Sequence, residues 1–136
     1  MTTNRTVFAR DPLHMTIPND GVAKVVEPRT PEEWDVLRFE LQTFVCAGEY
    51  ERGLDRILST YLRHLTEPTQ PAVWVSGFYG SGKSHLVRVL EYLWRDTALP
   101  GGASARALVE LPGTITEHLR ELTNVSRRNA ERIRYG

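Results

Sequence analysis

Apolar side chains recur along this chain at helical spacing in three places and gather once into a short unbroken run. The first helical stripe follows "TPEE", where Thr30 suits an N-cap, Pro31 the first helical position and Glu33 the far side of a capping box. Trp34, Leu37, Leu41, Phe44 and Val45 then share one face until Gly48 interrupts the pattern. The second stripe lies in "EYERGLDRILSTYLRHL", residues 49–65. There Tyr50, Leu54, Ile57, Leu58, Tyr61, Leu62 and Leu65 face inward, while Glu51, Arg52, Asp55, Arg56 and Arg63 form a solvated side. The third begins at Lys83, with Leu86, Val87, Leu90, Leu93 and Trp94 on one side, and "DTALPGG" ends it near residue 97. The unbroken run is "AVWVS", residues 72–76, which is apolar on both faces and predicts a short strand.

The flanks are less regular. Prolines 12, 18 and 28 and the turn "PNDG" break residues 1–29 into an extended arm, in which "VAKVV" at 22–26 has the composition of a short strand. Past the third helix, "ASARALVEL" at 103–111 predicts a helical turn stopped by Pro112 and Gly113. Thr114 with Glu117 suggests a capping box before "EHLRELTNV". The tail "SRRNAERIRYG" is basic and poor in large apolar residues, which predicts a frayed terminus. Three regions result: an extended N-terminal arm over 1–29, a helical segment over 30–69, and 70–136 as a truncated nucleotide-binding core with a basic C-terminal tail.

Composition narrows the function classes. The 17 basic and 17 acidic residues balance, so no global field recruits nucleic acid or a membrane surface. No apolar run is long enough to span a bilayer and no signal core opens the chain, so a cytoplasmic location without membrane association is expected. Cys46 is the only cysteine, set in the apolar run "TFVCAG", which fits a buried inert thiol and excludes an intrachain disulfide or a cysteine metal cluster. His14, His64 and His118 have no ligand spacing, and His85 reads as a structural histidine.

The chemistry-bearing motif is "GFYGSGKS", residues 77–84, which matches G-x-x-x-x-G-K-[ST]. Polyphosphate needs many donors in a concave space, and backbone N–H groups supply them where the chain curls tightly. Gly77, Gly80 and Gly82 permit that curl, and the helix starting near Lys83 offers free N–H groups and a favourable dipole. Lys83 suits the β- and γ-phosphates, Ser84 suits Mg²⁺ through its hydroxyl, and Ser81 adds a donor. Phe78 and Tyr79 are expected to pack beneath the loop or against another subunit. A strand leading in and a helix leading out predict an α/β fold: an incomplete P-loop NTPase core (strand–P-loop–helix) preceded by a helical N-terminal segment. No second acid that would hold Mg²⁺ is found, since Glu110 in "RALVEL" follows the loop helix too closely and has helical flanks. Hydrolysis by this chain alone is therefore not expected.

Three stretches, "IPNDGVAKVVEP", "FVCAGEYERGLDRILSTYLRHL" and "AVWVSGFYGSGKSHLVRVLEYLW", resemble the start of the large P-loop ATPases of bacteriophage-exclusion (BREX) defence systems. The resemblance spans roughly residues 6–122, and its more specific part is "GEYERGLDRIL" ahead of "GFYGSGKSHLV". It implies ATP and Mg²⁺ as cofactors, bound at Gly77, Gly80, Ser81, Gly82, Lys83 and Ser84, with other defence-complex proteins or further copies of the ATPase as partners. Members of that family are much longer, and "TNVSRRNAERIRYG" departs from their pattern, so a truncated ATPase is expected. A non-catalytic helical interaction module docking through 30–65, or a decayed ATPase fragment, stays open as an alternative.

Overall fold

The computed structural model describes residues 26–135, with side chains to residue 130. Residues 1–25, and with them most of the expected arm and of its "VAKVV" strand, lie outside the described residues. Among the described residues five helices follow in order: α1 (Pro31–Thr43), α2 (Glu49–Arg63), α3 (Lys83–Arg95), α4 (Ala105–Leu108) and α5 (Gly113–Tyr135).

Helix α1 starts as its sequence predicts. The Thr30 hydroxyl accepts from the Glu33 N–H at 3.3 Å, and the Glu33 carboxylate accepts from the Thr30 N–H at 3.4 Å and the Arg29 N–H at 2.8 Å. Two of the orphan donors that open any helix are thereby satisfied. Gly48, at φ 59°, supplies the backbone break that separates α1 from α2.

The core is built helix on helix. Leu37 and Leu41 of α1, Leu54 and Leu58 of α2, Val89 and Leu93 of α3, and Ile115, Leu119 and Leu122 of α5 are all buried. In α3 the buried face is Leu86, Val89, Tyr92 and Leu93, with Leu90 and Trp94 at its margin, whereas Val87 is exposed. Val45, assigned to the face of α1, lies beyond the helix and is exposed. A buried ion pair, Arg88 Nε to Glu40 Oε2 at 3.1 Å, crosses from α3 to α1. Helix α2 packs most extensively on α5, where His118 Nε2 meets Asp55 Oδ1 at 3.0 Å.

Three expectations are overturned. The α/β fold is not formed: among the described residues there is no strand or sheet, only one isolated antiparallel bridge between Ala98 and Ser104. Residues 70–78 are irregular and no strand is formed at 72–76, while Val73 and Trp74 are exposed. The physical reason is that a strand is defined by its neighbour, and no described segment pairs with this one. The expected capping box at Thr114 is also absent, because α5 already begins at Gly113 and places Thr114 inside the first turn. Finally, the basic tail from Ser126 is helical: α5 continues to Tyr135 through "SRRNAERIRY", a stretch rich in good helix formers.

Arg106 closes the bundle. From α4 its guanidinium donates to Leu93 O at 2.7 Å and Trp94 O at 3.1 Å, at the C-terminal end of α3. It also donates to Leu119 O at 3.0 Å and Thr123 Oγ1 at 2.7 Å on α5. The backbone N–H of Arg106 donates to Asp96 Oδ1 at 3.2 Å, and Asp96 ends α3 in the left-handed conformation. A cation at a helix C-terminus satisfies orphan carbonyls and opposes the negative end of the dipole. Replacing Arg106 by Met keeps the aliphatic stem but strips these bonds. It is expected to cost about 2–4 kcal/mol in urea unfolding; a loss below about 1 kcal/mol would show that the bridge contributes little.

Candidate functional site

The glycine-rich stretch forms a tight loop at the N-terminus of α3. The Ser81 N–H donates to Phe78 O at 3.2 Å, closing a turn, and the Leu86 N–H donates to Gly82 O at 2.8 Å as the helix begins. Gly80 at φ 77° and Gly82 at φ 78° both lie in the left-handed region that side chains disfavour. At Gly77 a Cβ would stand 2.8 Å from Ser81 Oγ, so a larger residue there would push the serine hydroxyl aside.

Lys83 folds back over this loop. Its ammonium donates to Gly77 O at 2.9 Å, Phe78 O at 2.6 Å and Ser81 Oγ at 3.4 Å. Of the six residues singled out by the motif, Lys83 thus contacts both Gly77 and Ser81 directly. Ser84 is exposed on the first turn of α3.

The electrostatics of this helix start differ from those of the two helices before it, while α4 and α5 share its acid-free first turn. Helix α1 opens with Thr30 as a cap and two acids in its first turn, and α2 opens with Glu49 and Glu51. Helix α3 has no side-chain cap bond and no acid in its first turn, but a lysine at its first position. Its orphan N–H groups and the positive dipole end thus stand beside a cation with no acid of that turn to neutralise them.

A cleft of about 660 Å³ opens beside the loop, between α2 and residues 73–78. Tyr50 and Arg56 of α2, Trp74, Gly77, Ser81 and Lys83 are among its walls. The volume lies within the range of small-molecule sites, about 300–1,000 Å³. Tyr50 was read in the sequence only as part of an apolar stripe, yet its hydroxyl donates to Ser81 O at 2.7 Å. Nothing in the local pattern signals this contact, which spans 31 residues of sequence.

Phe78 and Tyr79 do not pack beneath the loop: they are 92% and 100% exposed. Cys46 is buried, and burial pushes its thiol above the ordinary value, with Glu51 adding to the rise. No group of three or more metal-ligating side chains is found among the described residues. Glu110 is exposed and lines a separate cavity with Gln42. His85, next to Ser84, packs its ring 5.7 Å from Phe44, and burial lowers its pKa, against the charge of Glu40 and with that of Arg88. No helix among the described residues is long and apolar enough to cross a membrane.

No protein-family model matches the chain, and no solved structure matches it.

Two outcomes follow from this geometry. A Cβ at Gly82 would sit 2.3 Å from the Tyr50 hydroxyl oxygen, while nothing lies within 4 Å of one at Gly80. Gly80→Ala is therefore expected to cost about 1 kcal/mol of backbone strain, and Gly82→Ala about 1 kcal/mol more because Tyr50 must also move. Equal urea midpoints for the two variants would contradict the crowding. For His85, whose folded-state pKa is depressed, the unfolded chain binds more protons as pH falls below about 6.5. Its contribution to stability is complete above that pH and is lost on acidification through it. His85→Gln should flatten the dependence of the urea midpoint between pH 7.5 and 5.5; an unchanged slope would remove His85 as a source.

Proposed function

We propose that this chain binds a nucleoside triphosphate with Mg²⁺ at the loop 77–84, with ATP as the nucleotide. The observation that carries the reading is the uncapped, acid-free start of α3 with Lys83 at its first position, set behind a loop that bends at Gly80 and Gly82. A helix end of this kind offers fixed N–H donors and positive charge, and needs an anion to complete it. The Lys83 ammonium bonds to loop carbonyls, Gly77 O and Phe78 O. A phosphate oxygen would give that ammonium a charge-assisted bond in place of neutral ones.

In this reading Gly77, Gly80, Ser81 and Gly82 present the loop to the phosphates, Lys83 neutralises their charge, and Ser84 offers its hydroxyl to Mg²⁺. The metal supplies charge neutralisation when bound. The reading stops at binding, because no acid is assigned to hold the metal opposite Ser84. The wider setting, again as a proposal, is the one the sequence resemblance implies: an ATP-binding part of a phage-defence ATPase, acting with other proteins of that complex or with further copies.

Ligand binding to the native state alone raises stability by mass action, about 2.7 kcal/mol at a hundredfold excess over Kd. ATP with Mg²⁺ is expected to raise the melting temperature in a concentration-dependent way, and Lys83→Ala to abolish the rise. A wild-type melt unmoved by any nucleoside triphosphate with Mg²⁺ would overturn the proposal.

A further inference from the structure

The loop is held from outside by a residue that lies far from it in sequence. We infer that Tyr50 is a positioning residue for the phosphate loop, acting through the peptide between Ser81 and Gly82; this rests on the nucleotide-binding reading above. The Tyr50 hydroxyl donates to Ser81 O at 2.7 Å. The peptide is trans and planar, so its carbonyl and its N–H point in opposite directions. Fixing Ser81 O against α2 therefore turns the Gly82 N–H away from α2, and that N–H meets no acceptor among the described residues. It is a free donor at the mouth of α3, aimed by a bond made on the other side of the same peptide.

Two further observations agree. The Tyr50 oxygen occupies the space where a Cβ at Gly82 would lie, so the glycine lets the tyrosine approach as well as letting the loop bend. The tyrosine ring is itself set by packing: Phe44 stands 5.7 Å from Tyr50 on one side and 5.7 Å from His85 on the other. The side chains thus run from α2 through Phe44 to the first turn of α3, and the hydroxyl is their one polar contact with the loop backbone.

The test separates the hydroxyl from the packing. Tyr50→Phe removes one oxygen and keeps the ring; Phe44→Leu keeps the hydroxyl and loosens the ring. Mg²⁺–ATP affinity is measured by calorimetry on the full chain, with urea midpoints for each protein. The Gly82 amide resonance is followed on adding inorganic tripolyphosphate. Tyr50→Phe is expected to weaken ATP binding about five- to tenfold, the worth of one hydrogen bond, and to shrink the tripolyphosphate shift of the Gly82 amide. Phe44→Leu is expected to lower the urea midpoint and to weaken ATP binding less than Tyr50→Phe does, because the loosened ring still carries its hydroxyl. Tyr50→Phe binding like the wild type would overturn the inference while leaving the nucleotide site intact. So would Phe44→Leu losing as much affinity as Tyr50→Phe, since packing alone would then explain both. Wild type that binds neither ATP nor tripolyphosphate removes the underlying reading, and this inference with it.

Discussion

A single guanidinium fixes the end of the helix on which the candidate site depends. Arg106 reaches the last carbonyls of α3 and, with the same planar group, Leu119 and Thr123 of α5. Burial pulls its pKa below the ordinary value and Asp96 opposes that pull, so the cation is held in a partly dry place by the carbonyls it satisfies. The opposite end of α3 is fixed by Leu86 in the core and by the contacts of Phe44 with His85 and Tyr50. Helix α3 is thereby a strut braced at both ends, and the glycine-rich loop is the segment that feeds its N-terminal end.

This bracing matters because the loop has no sheet behind it. In the fold that the sequence predicted, a strand would anchor the chain entering the loop through a ladder of backbone hydrogen bonds. Here residues 70–78 have no such ladder, so the loop takes its fixed shape from the helix that leaves it and from α2 at its side. An anion site built this way relies on side-chain contacts where a sheet-backed one relies on backbone. That makes the identity of a few residues, Tyr50 and Gly82 above all, matter more than their composition class would suggest.

What could be read from the sequence was what local physics decides. The stripe Leu37–Leu41, the stripe Leu54–Leu58, the Thr30 capping box and the helix starting at Lys83 each depend on residues within a few positions of one another, and each was legible. The six loop residues are singled out in the same local way, by a fixed spacing. The strand at 72–76 was not, because a run of β-branched and aromatic residues reports only that a pleated surface would suit it; pairing is supplied from elsewhere. The tail is helical although its apolar content is low. Ile115, Leu119 and Leu122 anchor α5 early, and the residues after them need only favour the helix they continue. Arg106 and Tyr50 were invisible as anchors because their partners lie 12–17 and 31 residues away.

The three tryptophans are divided by environment in a useful way. Trp34 and Trp94 pack against the core, Trp94 edge-on to Tyr61 at 4.5 Å, whereas Trp74 is 90% exposed on the wall of the cleft beside Lys83. The first two indoles are partly shielded by the core and the third meets solvent, so the three differ in polarity of surroundings. Trp74 thus samples the surroundings of the cleft, while Trp34 and Trp94 sample the packing of the core.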